Sequence, residues 1–192
     1  YLEIFIGSMF SGKTSKLTEI YKQCIFCSIP VAVINYANDK RYHDTMMSTH
    51  DKNMIPCIQT MLLASIWEKG TDVDVDSENI ARHYKELRDA DVILINEGQF
   101  FKDLYPIVES MLNAGKKIYI AGLDGDFQRK KFGQILDLIP LCDKVTKLTS
   151  LCIMCKNGES GIFSMRLTSE TEQTLIGTNE YAPVCRKCFK ST

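Results

Sequence analysis

"YLEIFIGSMFSGKTSKLTEI", Tyr1 to Ile20, decides the fold. An apolar run, Tyr1 to Ile6, leads into "GSMFSGKT", Gly7 to Thr14, which satisfies G-x-x-x-x-G-K-[ST] at every fixed position and opens onto residues with helical spacing. The chemistry requires this order. Gly7 and Gly12 let backbone amides turn inward on phosphate oxygens, Lys13 neutralises the outer phosphates, and Thr14 offers a hydroxyl to magnesium. The helix start adds its positive dipole, and Ser8, Met9, Phe10 and Ser11 complete the loop around the nucleotide. The stretch reads as strand, phosphate-binding loop and helix.

The remaining chain alternates in keeping with that start. "PVAVINY" (Pro30 to Tyr36), "DVILIN" (Asp91 to Asn96) and "KKIYIAGL" (Lys116 to Leu123) are short, nearly unbroken apolar runs, the mark of parallel strands covered on both faces. Leu104, Ile107, Val108, Met111 and Leu112 recur at helical spacing and stop at Asn113-Ala-Gly115, a C-cap. A second helix starts near Ser77, with Ile80, His83, Tyr84 and Leu87 on one face and His83 there for packing. The expected class is α/β, a parallel sheet flanked by helices. In such domains ligands lie beyond the carboxyl ends of the strands, so "VILINEGQFF", Val92 to Phe101, brings Asn96 and Glu97 towards Lys13. A carboxylate there can bind magnesium or take the proton of a hydroxyl attacking the terminal phosphate.

Composition narrows the classes. At 192 residues, 45% hydrophobic and 24% charged, the chain can bury a core as one domain with a small appendage. A net charge of −1, with Arg129-Lys130-Lys131 as the most basic cluster, gives no footprint for nucleic acid or an anionic membrane. No apolar run approaches the roughly 18 residues of a spanning helix, and the N-terminus lacks signal-peptide order, so a cytoplasmic location is expected. "KGTDVDVDSEN", Lys69 to Asn79, reads as a solvated acidic loop without EF-hand spacing.

Of eight cysteines, two C-x-x-C pairs, Cys152/Cys155 and Cys185/Cys188, carry zinc spacing, each offering two thiolates from one tight knuckle. A disulfide reading would need a secreted context, which nothing else suggests. The third pair, Cys24/Cys27, lies among Leu17, Ile20, Tyr21, Ile25 and Phe26 at helical spacing, and both sulfurs are expected to line a packed face.

Together Gly7–Thr14, the Thr49-His50-Asp51 segment, "NEGQFF" (Asn96 to Phe101), "AGLDGDFQRKKFG" (Ala121 to Gly133) and the four-cysteine tail resemble the cellular, type II thymidine kinases over nearly the whole chain. The resemblance implies a RecA-like core, residues 1–148, and a zinc-binding domain, residues 149–192, carrying a lasso loop from Thr174 to Val184 that covers the substrate. It implies transfer of the γ-phosphate of ATP, with magnesium, to the 5′-hydroxyl of thymidine or deoxyuridine. Glu97 would be the base, Lys13 would serve the transferred phosphate, and Thr14 and Asn96 would face magnesium. Met9, Phe100, Leu123, Phe127 and Phe132 would wall the base, with Asp51, Lys52, Ile176, Gly177 and Tyr181 completing the nucleoside site. Gln99 and Arg129 are further candidates for phosphate or sugar contacts. Zinc, a homotetramer and feedback inhibition by thymidine triphosphate are implied in the same way. The chain departs from the family in carrying Asn96 for the usual aspartate, Lys52 for arginine and a lasso shorter by one residue. Asn96 brings no charge to the metal. The alternatives are therefore a catalytically impaired nucleotide-binding paralogue and a P-loop ATPase, the latter calling for a basic surface that the composition lacks.

Overall fold

A computed structural model describes residues 1–38, 46–48, 54–68, 77–173 and 180–190. In chain order it contains β1 (Leu2–Gly7), α1 (Lys13–Phe26), β2 (Val31–Tyr36), the antiparallel pair β3 (Met46–Ser48) and β4 (Met54–Pro56), and β5 (Ile58–Thr60). Next come α2 (Ala64–Trp67), α3 (Ser77–Asp89), β6 (Val92–Ile95), α4 (Leu104–Asn113), β7 (Lys117–Gly122) and β8 (Lys144–Leu148). Six of these strands form one sheet in the order β5-β2-β6-β7-β1-β8, and every pairing in it is parallel. The α/β expectation is borne out.

Successive residues of a strand point to opposite faces, so each apolar run supplies two cores. Leu2, Ile4, Ile6, Ala32, Ile34, Ile93, Ile95, Ile118 and Ile120 face one side, where Leu104, Ile107, Val108 and Met111 of α4 cover them. Phe5, Val33, Leu94 and Ala121 face the other, under Leu17 and Cys24 of α1. Helix α4 ends as its sequence predicts: the Gly115 amide donates to Leu112 and the Lys116 amide to Met111, satisfying two terminal carbonyls.

The packed face expected of α1 needs correction. Cys24 is buried, but Cys27 is exposed, and Ile25 and Phe26 stand 56% and 90% exposed. At 3.6 residues per turn, positions 25 and 26 rotate away from Cys24 onto the opposite side, and Cys27 falls at the C-cap beyond the last turn. The packed face of α1 ends at Cys24.

Two features escape a periodicity reading. Edge strand β8, "KVTKL", is mostly polar; its Lys144 lies opposite Glu3 of β1 in the register and pairs with that carboxylate at 2.9 Å. Thr146 also donates to Glu3. Burial pushes the Glu3 carboxyl up, but Lys144, Thr146 and Tyr1 outweigh it and hold the group below its ordinary value. Trp67 is buried in the α4-side core, its indole N–H donating to Ser110 at 2.9 Å and the Arg88 guanidinium lying 3.8 Å from its ring centroid. Trp67 and, at the far end of α3, Leu87 thus both sit in the main core, with Arg88 stacked on the indole.

The C-terminal part holds two short antiparallel pairs, β9 (Ser150–Leu151) with β10 (Ser160–Gly161) and β11 (Phe163–Arg166) with β12 (Tyr181–Val184), followed by α5 (Arg186–Lys190). It buries a cluster of its own, Cys152, Met165, Ala182, Val184 and Cys185, flanked by Phe163, Cys188 and Phe189.

Candidate active site

Because the sheet is parallel, the carboxyl ends of β1, β2, β6 and β7 open on one edge, and the site is assembled there. Gly7 ends β1 at φ +144°, and a Cβ on it would lie 2.0 Å from the Leu148 carbonyl oxygen of β8. Besides phosphate geometry, glycine is required because two strand ends nearly touch. The loop then turns towards the C-terminal part. Ser8 Oγ donates to the Gly161 carbonyl at 2.6 Å, and the Met9 amide donates to Ser164 Oγ at 2.9 Å. Lys13, largely buried, places Nζ 2.6 Å from the Ser8 carbonyl and 3.4 Å from Ser11 Oγ.

Thr14 and Asn96 meet across the edge, with Thr14 Oγ1 donating to Asn96 Oδ1 at 3.3 Å. Two hard oxygens beside a phosphate loop suit magnesium, and both are neutral. Glu97 follows, half-buried, with φ 55° and ψ 41°. A non-glycine residue in this left-handed region costs on the order of 1–3 kcal/mol and persists where the surroundings impose it.

Gln99 holds the carboxylate of this residue. Its Nε2 donates to Glu97 Oε2 at 2.6 Å while its Oε1 accepts from the Leu123 amide at 2.9 Å. At 2% exposure Gln99 spends both ends of its amide within the protein, where the sequence reading considered a sugar or phosphate contact. It is instead the brace between Glu97 and the end of β7. Its backbone is clamped in turn, because a Cβ on Gly133, at φ +60°, would lie 2.0 Å from the Gln99 carbonyl oxygen. Gly133→Ala is therefore expected to lower the melting temperature, since left-handed alanine alone costs about 1–2 kcal/mol. Turnover should fall further than nucleotide affinity, because the displaced group is the brace; paired melting and nucleotide-titration experiments check this.

The apolar side chains divide into two groups. Phe100 and Phe132 meet edge to face with ring centroids 5.4 Å apart, and Tyr36, which the sequence did not single out, stacks on Phe100 at 5.1 Å. Leu123 is half-buried beside the Gln99 brace. Phe127 lies instead under the Arg166 guanidinium, 3.9 Å from its centroid, and Tyr181 shares that guanidinium at 5.1 Å and through a hydrogen bond to its hydroxyl. Arg166 also donates to the carbonyls of Glu170, Glu172 and Gln173, while Gln173 Nε2 donates to Asp126 at 2.7 Å. Arg129 points elsewhere, its guanidinium 4.5 Å from the Phe189 ring centroid. Asp51, Lys52, Ile176 and Gly177 lie outside the described residues.

The metal-ligating atoms of Cys152, Cys155, Cys185 and Cys188 all lie within 4.8 Å of one another. Tetrahedral zinc with Zn–S of about 2.3 Å needs sulfurs roughly 3.8 Å apart, so the cluster fits that ion with little movement. Burial pushes the Cys152 thiol up, but the amides of Cys155, Cys185 and Met154 more than reverse this and bring it down to about 6. Cys188 goes the other way, pushed up to about 12 by its hydrogen bond with Cys185, by burial and by the neighbouring sulfurs. Four sulfurs at this spacing ionise together only with a cation among them.

The chain matches the family profile described as thymidine kinase over residues 1–189. It is 42% identical over 190 residues to a protein named thymidine kinase from sheeppox virus (strain KS-1), covering 98% of this chain and 96% of that one. Proteins of the same name from vaccinia virus (strain Ankara) and from variola virus (isolate Human/India/Ind3/1967) are 40% identical over 190 residues, again covering 98% of this chain and 96% of each. A glycine-rich loop of phosphate-binding pattern after β1, a braced carboxylate at the end of β6 and this match over nearly the full length lead to one placement: the chain belongs to the thymidine kinase family.

Proposed function

We propose that this protein transfers the γ-phosphoryl group of ATP to the 5′-hydroxyl of thymidine, with deoxyuridine as a further acceptor, in nucleotide salvage for DNA synthesis. The observation that carries the reading is the placement of Glu97 next to Asn96, whose side chain touches Thr14 of the phosphate loop. A base at that position stands beside the terminal phosphate and opposite any acceptor hydroxyl. Glu97 takes the hydroxyl proton as the new oxygen–phosphorus bond forms and the bond to the bridging oxygen breaks, with ADP leaving. Gln99 holds the carboxylate in place. Lys13 and the amides from Gly7 to Thr14 hold the phosphates. Magnesium, facing Thr14 and Asn96, would neutralise charge building on the phosphate oxygens.

The thymine lies against Met9, Phe100, Leu123, Phe127 and Phe132, since aromatic faces bury a flat base, and Asp51, Lys52, Ile176, Gly177 and Tyr181 complete the nucleoside site. Zinc on Cys152, Cys155, Cys185 and Cys188 anchors a C-terminal domain, residues 149–192, against the kinase domain, residues 1–148. A cytoplasmic homotetramer inhibited by thymidine triphosphate completes the proposal; among the described residues no helix is long and apolar enough to cross a membrane.

Steady-state phosphorylation with MgATP tests the reading. Thymidine should be converted to its 5′-monophosphate with stoichiometric ADP, and deoxycytidine should not. ADP release that is indifferent to nucleoside would overturn it in favour of a simple ATPase.

A further inference from the structure

Asn35 ends the buried part of β2, 2% exposed, directly beside Asn96, 3% exposed, at the mouth of β6. Two amides buried side by side must satisfy each other, and the Tyr36 carbonyl, which can only accept, sets the sense by taking the Asn35 Nδ2. Asn96 Nδ2 donates to Asn35 Oδ1 at 2.8 Å. Asn35 Nδ2 donates onward to Gln59 Oε1 of β5 at 3.3 Å and to the Tyr36 carbonyl at 3.4 Å. Gln59 Nε2 in turn lies 3.5 Å from Cys57 Sγ. A run of donors thus extends from the phosphate-loop helix to the sheet edge: Thr14, Asn96, Asn35, Gln59.

The sense of the run decides which atom of Asn96 faces Thr14. Turned over, Asn96 would set its oxygen against the Asn35 oxygen, two acceptors in a buried place, and would present an N–H₂ group to the Thr14 hydroxyl. An amide nitrogen there repels a cation. We infer that Asn35 is a positioning residue for the metal side of the nucleotide site, holding the Asn96 oxygen towards Thr14 and so giving a neutral, oxygen-lined pocket without a carboxylate at position 96. This rests on the proposed function in taking the phosphate loop to bind a metal–nucleotide complex. Partners that orient a ligand in this way are typically worth about 10- to 100-fold in metal affinity.

The test compares Mn²⁺·ADP with metal-free ADP by equilibrium titration, following Mn²⁺ by its electron paramagnetic resonance signal, on the parent chain and on Asn35→Leu, Asn35→Asp and Gln59→Leu. Asn35→Leu removes the acceptor that fixes Asn96, and should weaken Mn²⁺·ADP by about tenfold or more while leaving metal-free ADP unchanged. Asn35→Asp keeps the acceptor and should bind Mn²⁺·ADP at least as well as the parent. Gln59→Leu, at a half-buried position on β5, removes one anchor of Asn35 and should shift the ratio the same way by a smaller factor. Parent-like Mn²⁺·ADP binding by Asn35→Leu would overturn the inference, as would equal losses with and without metal. If Asn35→Leu fails to fold, an unmoved ratio in Gln59→Leu overturns it instead. Because the readout is binding, a parent chain that bound Mn²⁺·ADP but left thymidine untouched would defeat the proposed reaction alone.

Discussion

Glu97→Gln should reduce thymidine phosphorylation by about 10²- to 10⁴-fold, the usual range for removing a positioned general base. The geometry separates this from a structural effect. Glu97 is braced through one carboxylate oxygen, Oε2, by the Gln99 amide. Glutamine can still accept that hydrogen bond through its own oxygen, so the strained turn should survive and the melting temperature should move little. What is lost is the ability to take a proton. Steady-state kinetics should therefore show a fall in kcat with the KM for ATP unchanged, and ADP titration should show unaltered affinity. A variant that retained more than about a tenth of parental turnover would remove Glu97 from the reaction.

Loss of the metal is the second large effect. Stripping zinc with a chelator, or changing Cys152 to serine, should unfold the part of the chain around β9 to β12, because structural zinc contributes roughly 10–16 kcal/mol of apparent binding energy in small sites. Among its described residues that part buries only a modest cluster of its own, five buried residues with three at the flank, too little to hold without the ion. The damage should reach the phosphate loop, since Ser8 and Met9 lean on Gly161 and Ser164. Expected results are one zinc per chain by elemental analysis, and loss of thymidine turnover in step with zinc release. Protein that is zinc-free and fully active would overturn the assignment.

What could be read beforehand was what lies contiguous in the chain. The phosphate loop, "VILINEG" and the paired cysteines are short strings in which residue type and spacing already contain the chemistry. The buried strands were equally plain, because covering on both faces demands unbroken apolar runs. Strand β8 was not legible, since an edge strand whose lysines pair with Glu3 and Asp124 carries no apolar signature. Gln99 and Asn35 were hidden for another reason: each is an ordinary polar residue in sequence, and its role arises from what the sheet sets beside it. An amide within two residues of a candidate base, as Gln99 is of Glu97, was the one available hint. Asn35 had none, for its partner lies on a neighbouring strand far along the chain. On α1 the error ran the other way, as apolar spacing continued beyond the turn that actually packs.

The indole described above also makes the molecule self-reporting. Trp67 is the only tryptophan of the chain, sealed at 1% exposure between Arg88 and Ser110 on the side of the sheet away from α1. Its ultraviolet emission consequently follows the integrity of the main sheet and is blind to the cysteine cluster, which has no tryptophan. Opening of the C-terminal part and melting of the body are therefore separable, the first as a gain in thiol reactivity above that of the exposed Cys27 with emission unchanged, the second as a change in emission.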